Sequence, residues 1–447
     1  MTIYPTGAHT LSGAVIEPRA LNELLPEWKE MERHPLTQPA TSSTMRWFTK
    51  NSSFPMPHPP QMSNKGNYIL SLSQFTSWLG SVAEGLGVEI YPGFGGAGIV
   101  YGGEDSRSVK AVFTNAVGID KEGRMKDSFD PGMQFNAKVT LLAEGAHGSL
   151  TKQVVRQFGL RKEIGADEQT YGMGVKEVWR VAPEKHRAGE VVHTMGWPLD
   201  WKTYGGGWVY HMADGMVSLG LVIGLDYANP YLSPYRELQR MKLHPYFQNL
   251  LEGGERLAYG GRVINEGGIQ SLPKLHFPGG ALIGCSAGFV NVPKIKGTHN
   301  AMKSGMLAAE TAFEQLAVMG DWNDSGELEK PADMSSYEAA LKDSWVWKEL
   351  NEVRNIRPSF NTRLGIWGGI AYSGVDTLLL KGRTPWTFRH KGTDAGHTAK
   401  ARCVYSSSAF AATLMKCLSK RFQTNRIPSP SSASVHRYSH LSFADIY

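Results

Sequence analysis

Residues 279–310, GGALIGCSAGFVNVPKIKGTHNAMKSGMLAAE, decide the fold of this 447-residue chain. The apolar run at 281–283 ends at Gly284 and predicts a buried strand. Small residues and a loop that closes at Gly297 come next, and a helix is predicted to begin at about Thr298. The stretch is therefore expected to fold as a strand, a tight connection and a helix.

The predicted helix has two contrasting faces. One face carries larger apolar residues at spacings of three and four and is expected to face inward: Met302, Met306, Ala309, Phe313 and Leu316. The other face is small and would let a ligand lie close to the backbone: Ala301, Ser304, Gly305 and Ala308.

The sequence around the start of this helix carries basic residues and no acidic ones. No acidic residue lies between Glu266 and Glu310, whereas the interval contains Lys274, Lys294, Lys296 and Lys303. A helix N-terminus carries a partial positive charge and unpaired N–H groups, so a start free of carboxylates suits a phosphate or an electron-rich ring. The alternative is a tightly packed strand, loop and helix whose charge gap has no function.

Composition limits the possible function classes. With 41% hydrophobic residues the chain can bury a substantial core, and two or three domains are expected. The net charge of +6 resides in the tail, because residues 381–447 carry eleven basic and two acidic residues, or +9, which leaves −3 for residues 1–380. The body has no basic stripe with interleaved aromatic residues, which argues against nucleic-acid binding.

Several other classes lack their signatures in the sequence. The three cysteines, Cys285, Cys403 and Cys417, form neither a disulfide framework nor a C-x-x-C pair. The sequence contains no H-E-x-x-H, no G-x-S-x-G and no metal-ligand cluster, so no metal site and no catalytic side chain are predicted. The N-terminus does not resemble a targeting peptide, and no apolar run reaches the roughly 20 residues of a spanning helix.

A second strand, turn and helix are predicted at residues 139–155, where VTLLA is followed by EGAHG and SLTKQVVRQFG. A glycine turn between strand and helix is how an open α/β sheet presents a ligand site. Two alternatives remain open: Glu144 could cap the helix, and His147 could be a solvated turn residue.

Residues 170–225 predict a different architecture. Apolar runs at 171–181 and 191–197 suggest strands, and runs at 208–212 and 216–222 flank Ala213-Asp214-Gly215, a strong hairpin signal. The glycines at 205–207 are consistent with a simple strand-end turn. Ser233 and Pro234 then predict a helix start, with proline at the tolerated first position.

Eight runs in a fixed order carry a resemblance to a known family. Besides residues 279–310 they are GAHTLSGA (7–14), LLAEGAHGSLTKQ (141–153), GWPLD (196–200), TYGG (203–206), GLDYANPYLSPYRE (224–237), NVPKIKGTH (291–299) and SWVWKELNEVRNIRPS (344–359). Over residues 7 to about 396 the chain resembles the electron transfer flavoprotein–ubiquinone oxidoreductases. That ordered series favours a cofactor-binding role for GAHTLSGA, which alone would suggest a surface turn.

The resemblance implies an α/β fold: an incomplete glutathione-reductase-type FAD-binding domain with an inserted antiparallel α+β ubiquinone-binding domain. The G-x-G-x-x-G unit that holds the flavin diphosphate in the family has no counterpart in this sequence. The family's iron–sulfur domain is also unmatched, because a [4Fe–4S] cluster needs grouped thiolates and Cys403 and Cys417 stand alone. FAD is the implied cofactor.

The implied domain boundaries follow the order of the motifs. Residues 1–165 are expected to form the first part of the FAD-binding domain, 166–262 the ubiquinone-binding sheet, and 263–330 the last part of the FAD-binding domain. Residues 331–399 are expected to form a helical membrane-contacting region. Residues 400–447, rich in Ser and Arg, are expected to be a disordered basic tail.

The resemblance also implies site residues. The cofactor-binding residues are Gly7, Ala8, His9, Thr10, Leu11, Ser12, Gly13, Glu144, Gly145, Gly284, Cys285, Ser286, Gly297, Thr298, His299 and Ala301. The ubiquinone-binding residues are Tyr204, Gly205 and Gly206, since a flat ring can approach the backbone where no Cβ intervenes.

Two segments are expected at a membrane surface. The proline-rich stretch 51–62, NSSFPMPHPPQM, is expected to lack regular structure and is either a surface linker or a loop that dips into the bilayer. The apolar segment within 344–380, interrupted by Asp376, fits a buried or interfacial helix better than a spanning one.

The implied function is that of an FAD-dependent oxidoreductase of the respiratory chain, which passes electrons from electron transfer flavoprotein to ubiquinone. It implies peripheral contact with the matrix face of the mitochondrial inner membrane. Two alternatives are a truncated product without catalytic activity and a related FixC-like or geranylgeranyl-reductase-like flavoprotein.

Overall fold

The computed structural model describes residues 6–8, 10, 13–102, 107–321, 328 and 330–400. All helices and strands given below belong to one compact unit, Met1–Thr398. Of the predicted tail at 400–447, residues 401–447 lie outside the described residues.

The described strands, in chain order, are β1 (Ala14–Ile16), β2 (Gln38–Pro39), β3 (Ser42–Phe48), β4 (Ser53–Met56), β5 (Tyr68–Leu70), β6 (Gly96–Gly102), β7 (Ser108–Thr114), β8 (Val117–Ile119), β9 (Met125–Asp130), β10 (Gln134–Asn136), β11 (Thr140–Leu142), β12 (Tyr171–Arg180), β13 (Glu190–Gly196), β14 (Gly205–His211), β15 (Met216–Gly224), β16 (Glu255–Asn265), β17 (His276–Phe277) and β18 (Gly280–Leu282).

The described α-helices are α1 (Arg19–Leu24), α2 (Leu72–Gly85), α3 (Ser149–Gln157), α4 (Leu160–Glu163), α5 (Pro234–Lys242), α6 (Pro245–Leu251), α7 (Gly284–Ala287), α8 (Thr298–Val318), α9 (Ser335–Asp343), α10 (Trp345–Glu352), α11 (Ile356–Ser359), α12 (Gly365–Val375) and α13 (Asp394–His397). A short π-helix, Asp376–Leu380, continues α12. None of the described helices is long and apolar enough to cross a membrane.

The largest sheet has seven strands in the order β16-β12-β15-β14-β13-β3-β4. Its strands pair antiparallel except β13 and β3, which run parallel. The predicted hairpin is confirmed as β14 and β15, and the strands predicted near 171 and 191 are confirmed as β12 and β13. Alternate residues of β15 are buried against α5 and α6: Val217, Leu219, Leu221 and Ile223.

The expectation that residues 51–62 lack regular structure is wrong for Ser53–Met56. This segment forms β4 and pairs with β3, with Pro55 opposite Arg46. Since β4 is the edge strand of the sheet, one side of its backbone needs no ladder partner, and proline is tolerated there. The sheet therefore recruits strands from residues 42–56 as well as from 171–265.

A smaller sheet, β11-β18-β17, lies in the same core as α8 and α9. β11 and β18 pair in parallel, with Thr140 opposite Gly280. The predicted strand and helix of residues 279–310 are confirmed as β18 and α8, with the short helix α7 between them. The predicted unit at 139–155 is confirmed as β11 and α3.

The predicted facing of α8 is wrong. Phe313 is 76% exposed and Leu316 45% exposed, whereas the side that contains Ser304 and Ala308 of the small face is buried, together with Leu307, Thr311 and Ala312. Both faces repeat at helical spacing, so periodicity could not separate them. The side with the small residues faces the core because it lets α8 approach the end of β18 closely: a Cβ on Gly284 would lie 3.3 Å from the Ala301 Cβ.

The facing of α8 can be tested by two truncations on the same helix. Leu307→Ala removes a side chain that is 9% exposed, so we expect it to lower the free energy of unfolding by about 2–3 kcal/mol. Phe313→Ala should change that free energy by less than about 0.5 kcal/mol. Urea titration of both variants measures the difference, and an equal loss in both would contradict the observed facing.

Candidate functional site

The connection between β18 and α8 brings the helix start close to the strand end. Gly284, at φ +57°, donates its N–H to the Ser304 Oγ at 2.9 Å. The Ser304 hydroxyl in turn donates to the Ala301 carbonyl at 2.7 Å. The first turn of α8 therefore lies beside the end of a parallel strand, the usual place for a ligand in an α/β sheet.

The two predicted turns meet at this place. The Ser286 hydroxyl lies 3.5 Å from the Gly145 carbonyl, which connects the turn after β18 with the turn after β11. Burial raises the pKa of the Cys285 thiol to about 11, so this cysteine stays protonated at neutral pH. The two turns that carry Gly145 and residues 284–286 therefore lie next to each other, while their role in cofactor binding stays a prediction.

Glu144 is committed to capping a helix. Its carboxylate accepts the Leu150 N–H at 3.2 Å, and the Thr151 N–H and hydroxyl at 2.6 and 2.8 Å. These bonds satisfy unpaired N–H groups in the first turn of α3. The capping alternative is therefore what the structure shows, and a direct cofactor contact by Glu144 stays a prediction.

His147 connects the turn to the large sheet. Its ring stacks on Tyr171 with centroids 5.3 Å apart and planes 5° apart, and Tyr171 is the first residue of β12. Burial is the main cause that lowers the pKa of His147. The turn after β11 therefore touches one end of the seven-stranded sheet.

The N-terminal motif lies between α2 and the large sheet. The Ser73 hydroxyl donates to the Gly7 carbonyl at 2.7 Å, and the Lys176 Nζ donates to the Gly13 carbonyl at 3.2 Å. A Cβ on Gly13 would lie 2.4 Å from Ser218, so only glycine fits. Of the predicted residues, Gly7, Ala8, Thr10 and Gly13 are described, while His9, Leu11 and Ser12 lie outside the described residues.

The expectation that the start of α8 is free of carboxylates is wrong in three dimensions. Helix α8 has no acidic residue in its first turn, but His299 in that turn lies 3.0 Å from the Glu349 Oε1 of α10. Glu17 also approaches His299, at 3.9 Å. Lys294 pairs with both carboxylates, 2.8 Å from Glu349, which offsets one of their two negative charges.

Glu17, His299 and Glu349 also have side-chain types that bind metals, and their ligand atoms lie within 4.8 Å of one another. Among the described residues this is the only such group of three or more. The Lys294 ammonium already pairs with both carboxylates. The cluster is therefore read as an ion-pair network that holds the first turn of α8.

The lysines of the acid-free interval are mostly paired with distant acids. Lys274 pairs with Glu163 at 2.7 Å, and Lys303 with Glu23 at 2.9 Å. Lys296 differs: it is buried and donates to the Lys294 carbonyl at 3.2 Å. Burial lowers the pKa of Lys296 to about 8.

Three buried polar side chains were missed by the sequence motifs. Asn300, in the first turn of α8, has 0% exposure, and neither of its amide atoms has a hydrogen-bond partner in the part of the chain that the structure describes. The Gln169 Nε2 and the Asn265 Oδ1 are also unpartnered there. Buried polar groups without partners are uncommon and point to a missing ligand or water. In the sequence, the one sign of such a role was that Asn300 directly follows Thr298 and His299, which were predicted to bind the cofactor.

The predicted quinone residues lie at the start of β14. A Cβ on Gly205 would lie 2.4 Å from the Val222 carbonyl oxygen, and one on Gly206 would lie 2.5 Å from the Thr194 carbonyl oxygen. Strand packing alone therefore requires glycine at both positions. The two glycines remain predicted site residues, but a larger side chain at Gly206 would disturb the sheet itself.

Tyr204 precedes these glycines and is held between two side chains. The Arg357 guanidinium carbon lies 4.0 Å from the centroid of its ring, and the Phe360 ring meets it edge to face at 4.9 Å. Burial raises the pKa of the Tyr204 phenol, so it stays protonated at any physiological pH.

Arg357 itself is buried among acceptors. It donates to the Glu266 carboxylate at 2.9 Å, to Asp226 at 3.0 Å and to the Asn361 side-chain oxygen at 3.1 Å. Burial acts to raise the pKa of Asp226, but the Arg357 charge outweighs it and the pKa lies below its ordinary value. Burial raises the pKa of Glu266 despite the same guanidinium.

Comparison with known proteins gives the following relatives. Residues 171–264 match the family model for the ubiquinone-binding part of electron transfer flavoprotein–ubiquinone oxidoreductase. The chain is 51% identical over 400 residues to the mitochondrial electron transfer flavoprotein–ubiquinone oxidoreductase of Mus musculus, which is 89% of this chain and 64% of that protein. The chain thus spans slightly less than two thirds of the length of this relative.

Solved structures show the same general fold. A geranylgeranyl bacteriochlorophyll reductase-like protein from Thermoplasma acidophilum matches with a TM-score of 0.56 and 17% identity, covering 84% of this chain and 80% of its own. A flavin-dependent brominase matches with a TM-score of 0.51 and 15% identity, covering 95% and 92%. At these identities the likeness concerns the fold alone: a mixed α/β fold that flavin-dependent proteins also have.

The ion-pair network at the start of α8 predicts an acid sensitivity. Burial acts to raise the pKa of Glu349, but the hydrogen bonds and charges of His299 and Lys294 lower it to about 2. The stabilisation is complete above the ordinary value of 4.5 and is lost as the pH falls through about 2. This contribution to the free energy of unfolding amounts to about 3 kcal/mol.

Urea titrations of wild type and Glu349→Gln at pH 7, 4 and 3 measure this effect. We expect the variant to be less stable at pH 7 and the gap between the two proteins to narrow below pH 4. Glu314→Gln, an exposed change on α8, is the matched control and should follow wild type. A gap that stays constant down to pH 3 would contradict the assigned role of Glu349.

Proposed function

We propose that this chain, as a relative of the electron transfer flavoprotein–ubiquinone oxidoreductases, binds FAD and ubiquinone and passes electrons from electron transfer flavoprotein to ubiquinone. The match of residues 171–264 to the ubiquinone-binding family model carries the proposal. That segment corresponds to strands β12 to β16 of the large sheet. We propose that this sheet is the inserted ubiquinone-binding domain of a glutathione-reductase-type FAD-binding fold.

The residues at the start of α8 fit an FAD molecule. Asn300 offers a buried donor and acceptor that the described residues leave unused. Ser286 and Gly145 bring two strand-end turns together, and Gly284 lies against Ala301, the residue after Asn300. We propose that these residues, with Gly297, Thr298, His299, Ala301, Cys285 and the motif at 7–13, hold the cofactor.

FAD, when bound, supplies the electron-carrying chemistry of the reaction. The protein's part is electrostatic and positional. The N-terminus of α8 points unpaired N–H groups and a partial positive charge at the site, and Lys296 is a buried ammonium adjoining Gly297. Both favour negative charge at this place, which makes the addition of electrons easier.

The register of the large sheet supports a short path between cofactor and quinone. Gly205 lies opposite Ile223 of β15, and Ile223 lies opposite Met173 of β12, two residues after Tyr171, so Gly205 and Tyr171 are at the same end of the sheet. His147, from the turn at the FAD site, stacks on Tyr171 at that end. We propose that the quinone ring lies there, against Tyr204, Gly205 and Gly206.

An exposed apolar surface supports membrane contact near the same sheet. Trp47 of β3 lies opposite Phe54 of the predicted segment 51–62 and stacks on Trp367 of α12 at 4.7 Å, so it lies between the two segments predicted to face a membrane. Large apolar side chains are exposed on these two segments: Phe54, Leu364, Trp367, Leu378 and Leu379. Such a surface suits a protein that lies on a bilayer and does not cross it.

We propose that this membrane is the mitochondrial inner membrane, reached from its matrix face, as the name of the mitochondrial relative suggests. Electron transfer flavoprotein is the proposed electron donor. A [4Fe–4S] cluster is implied by the family resemblance alone. Cys403 and Cys417 are isolated in the sequence and lie outside the described residues.

The role of Asn300 can be tested without turnover. Asn300→Leu removes a buried amide that has no partner within the described residues, so we expect the cofactor-free protein to unfold at an unchanged or higher urea concentration. The same variant should bind FAD at least about tenfold more weakly, because it loses the proposed hydrogen bonds. Flavin fluorescence titration measures the affinity.

Thr311→Ala is the matched control for this prediction, because Thr311 is buried on the same helix but away from its first turn. It should leave FAD affinity within about twofold of wild type. Equal FAD affinity in Asn300→Leu and wild type would contradict the proposed cofactor site.

The proposed activity is tested by electron transfer in the FAD-loaded chain. The protein is reduced with an artificial donor under anaerobic conditions and mixed with a short-tail ubiquinone, while absorbance near 450 nm reports the oxidised flavin. Recovery of that absorbance with quinol formation is the expected result. A chain that takes up no FAD, or a reduced chain that quinone does not reoxidise, would favour the non-catalytic alternative.

A further inference from the structure

The buried Arg357 joins the proposed quinone site to the helical region after residue 331. It lies in α11, within the sequence run 344–359. Its acceptors lie after β15 (Asp226), after β16 (Glu266) and after α11 (Asn361). The edge of the guanidinium is thereby occupied, and its flat face is left for the ring of Tyr204.

The second contact on Tyr204 comes from the same short segment. Phe360 directly follows α11 and meets the Tyr204 ring edge to face at 4.9 Å. The Tyr204 backbone is fixed separately, because its carbonyl accepts the Gly224 N–H at 2.9 Å. Arg357 and Phe360 therefore act on the orientation of the ring and leave the strand pairing unchanged.

We propose that Arg357 is a positioning residue for the quinone: its guanidinium holds the Tyr204 ring in the orientation that forms one wall of the quinone site. This inference rests on the proposed function and deepens it. Arginine is required because it presents N–H donors along its edge and a planar face at once, whereas a lysine ammonium is a point charge that can do only one of these.

A matched pair of arginines gives the test. Arg354 lies one turn earlier, and its guanidinium also donates several hydrogen bonds, but these go to Asn351, Gly382, Thr384 and Thr387. Arg357→Lys and Arg354→Lys each remove several guanidinium hydrogen bonds, and only the first removes a contact with Tyr204. The full FAD-loaded chain is used, and its FAD content and unfolding midpoint are measured for each variant.

The main readout is the dissociation constant of a short-tail ubiquinone, measured by quenching of tryptophan fluorescence without electron transfer. We expect Arg357→Lys to raise this constant about tenfold with FAD content unchanged, and Arg354→Lys to keep it within about twofold. In quinone reduction, Arg357→Lys should raise KM far more than it lowers kcat.

A double-mutant cycle separates positioning from general damage. In a Tyr204→Leu background, Arg357→Lys should have no further effect on the dissociation constant, because the ring that it orients is gone. If Arg357→Lys folds poorly, since it leaves two buried carboxylates weakly paired, Phe360→Leu replaces it. That variant keeps the ion pairs and should raise the dissociation constant at least threefold.

The outcomes distinguish failure of the proposed quinone binding from failure of the positioning role of Arg357. A wild-type chain that binds no quinone would overturn the proposed function, and the role of Arg357 with it. Wild-type binding that Arg357→Lys and Phe360→Leu leave unchanged, an equal loss in Arg354→Lys, or full additivity with Tyr204→Leu would overturn the positioning role alone.

Discussion

The hydroxyl of Ser304 is the contact on which the site depends. It accepts the Gly284 N–H at 2.9 Å and donates to the Ala301 carbonyl at 2.7 Å, so it fixes helix α8 against the end of β18. Small side chains must face the strand for this contact to form, which is why Phe313 is directed to solvent. The cost is a buried first turn in which Asn300 has no partner within the described chain. A bound cofactor that completes those hydrogen bonds would offset that cost.

Local features of the sequence predicted the elements well. The turn Ala213-Asp214-Gly215 predicted the hairpin of β14 and β15, and Pro234 predicted the start of α5, because both signals act over a few residues. Features set by distant residues were not predictable in this way. The buried side of α8 depends on what packs against it, and Glu349 reaches the first turn of α8 from a separate helix.

In the candidate site, too, local sequence motifs were predictable and contacts between distant residues were not. The resemblance implied Gly145, Gly284 and Ser286 as site residues, and the structure brings the Ser286 hydroxyl within 3.5 Å of the Gly145 carbonyl. It gave no sign of Asn300 or of the buried Arg357, because an unpartnered amide and an ion pair between distant segments leave no local pattern. For the paired glycines of β14 the structure gives a second reason, since carbonyl oxygens of neighbouring strands exclude a Cβ there. Their identity therefore cannot by itself locate a quinone.

A crystal structure of the FAD-reconstituted chain would show where the cofactor binds. We expect an isoalloxazine ring at the first turn of α8, with the Asn300 amide within about 3 Å of a flavin nitrogen or oxygen. We also expect the ring near the end of the large sheet that carries Tyr171 and Tyr204. FAD bound at another surface, with the Asn300 amide still unpartnered, would contradict the proposed cofactor site.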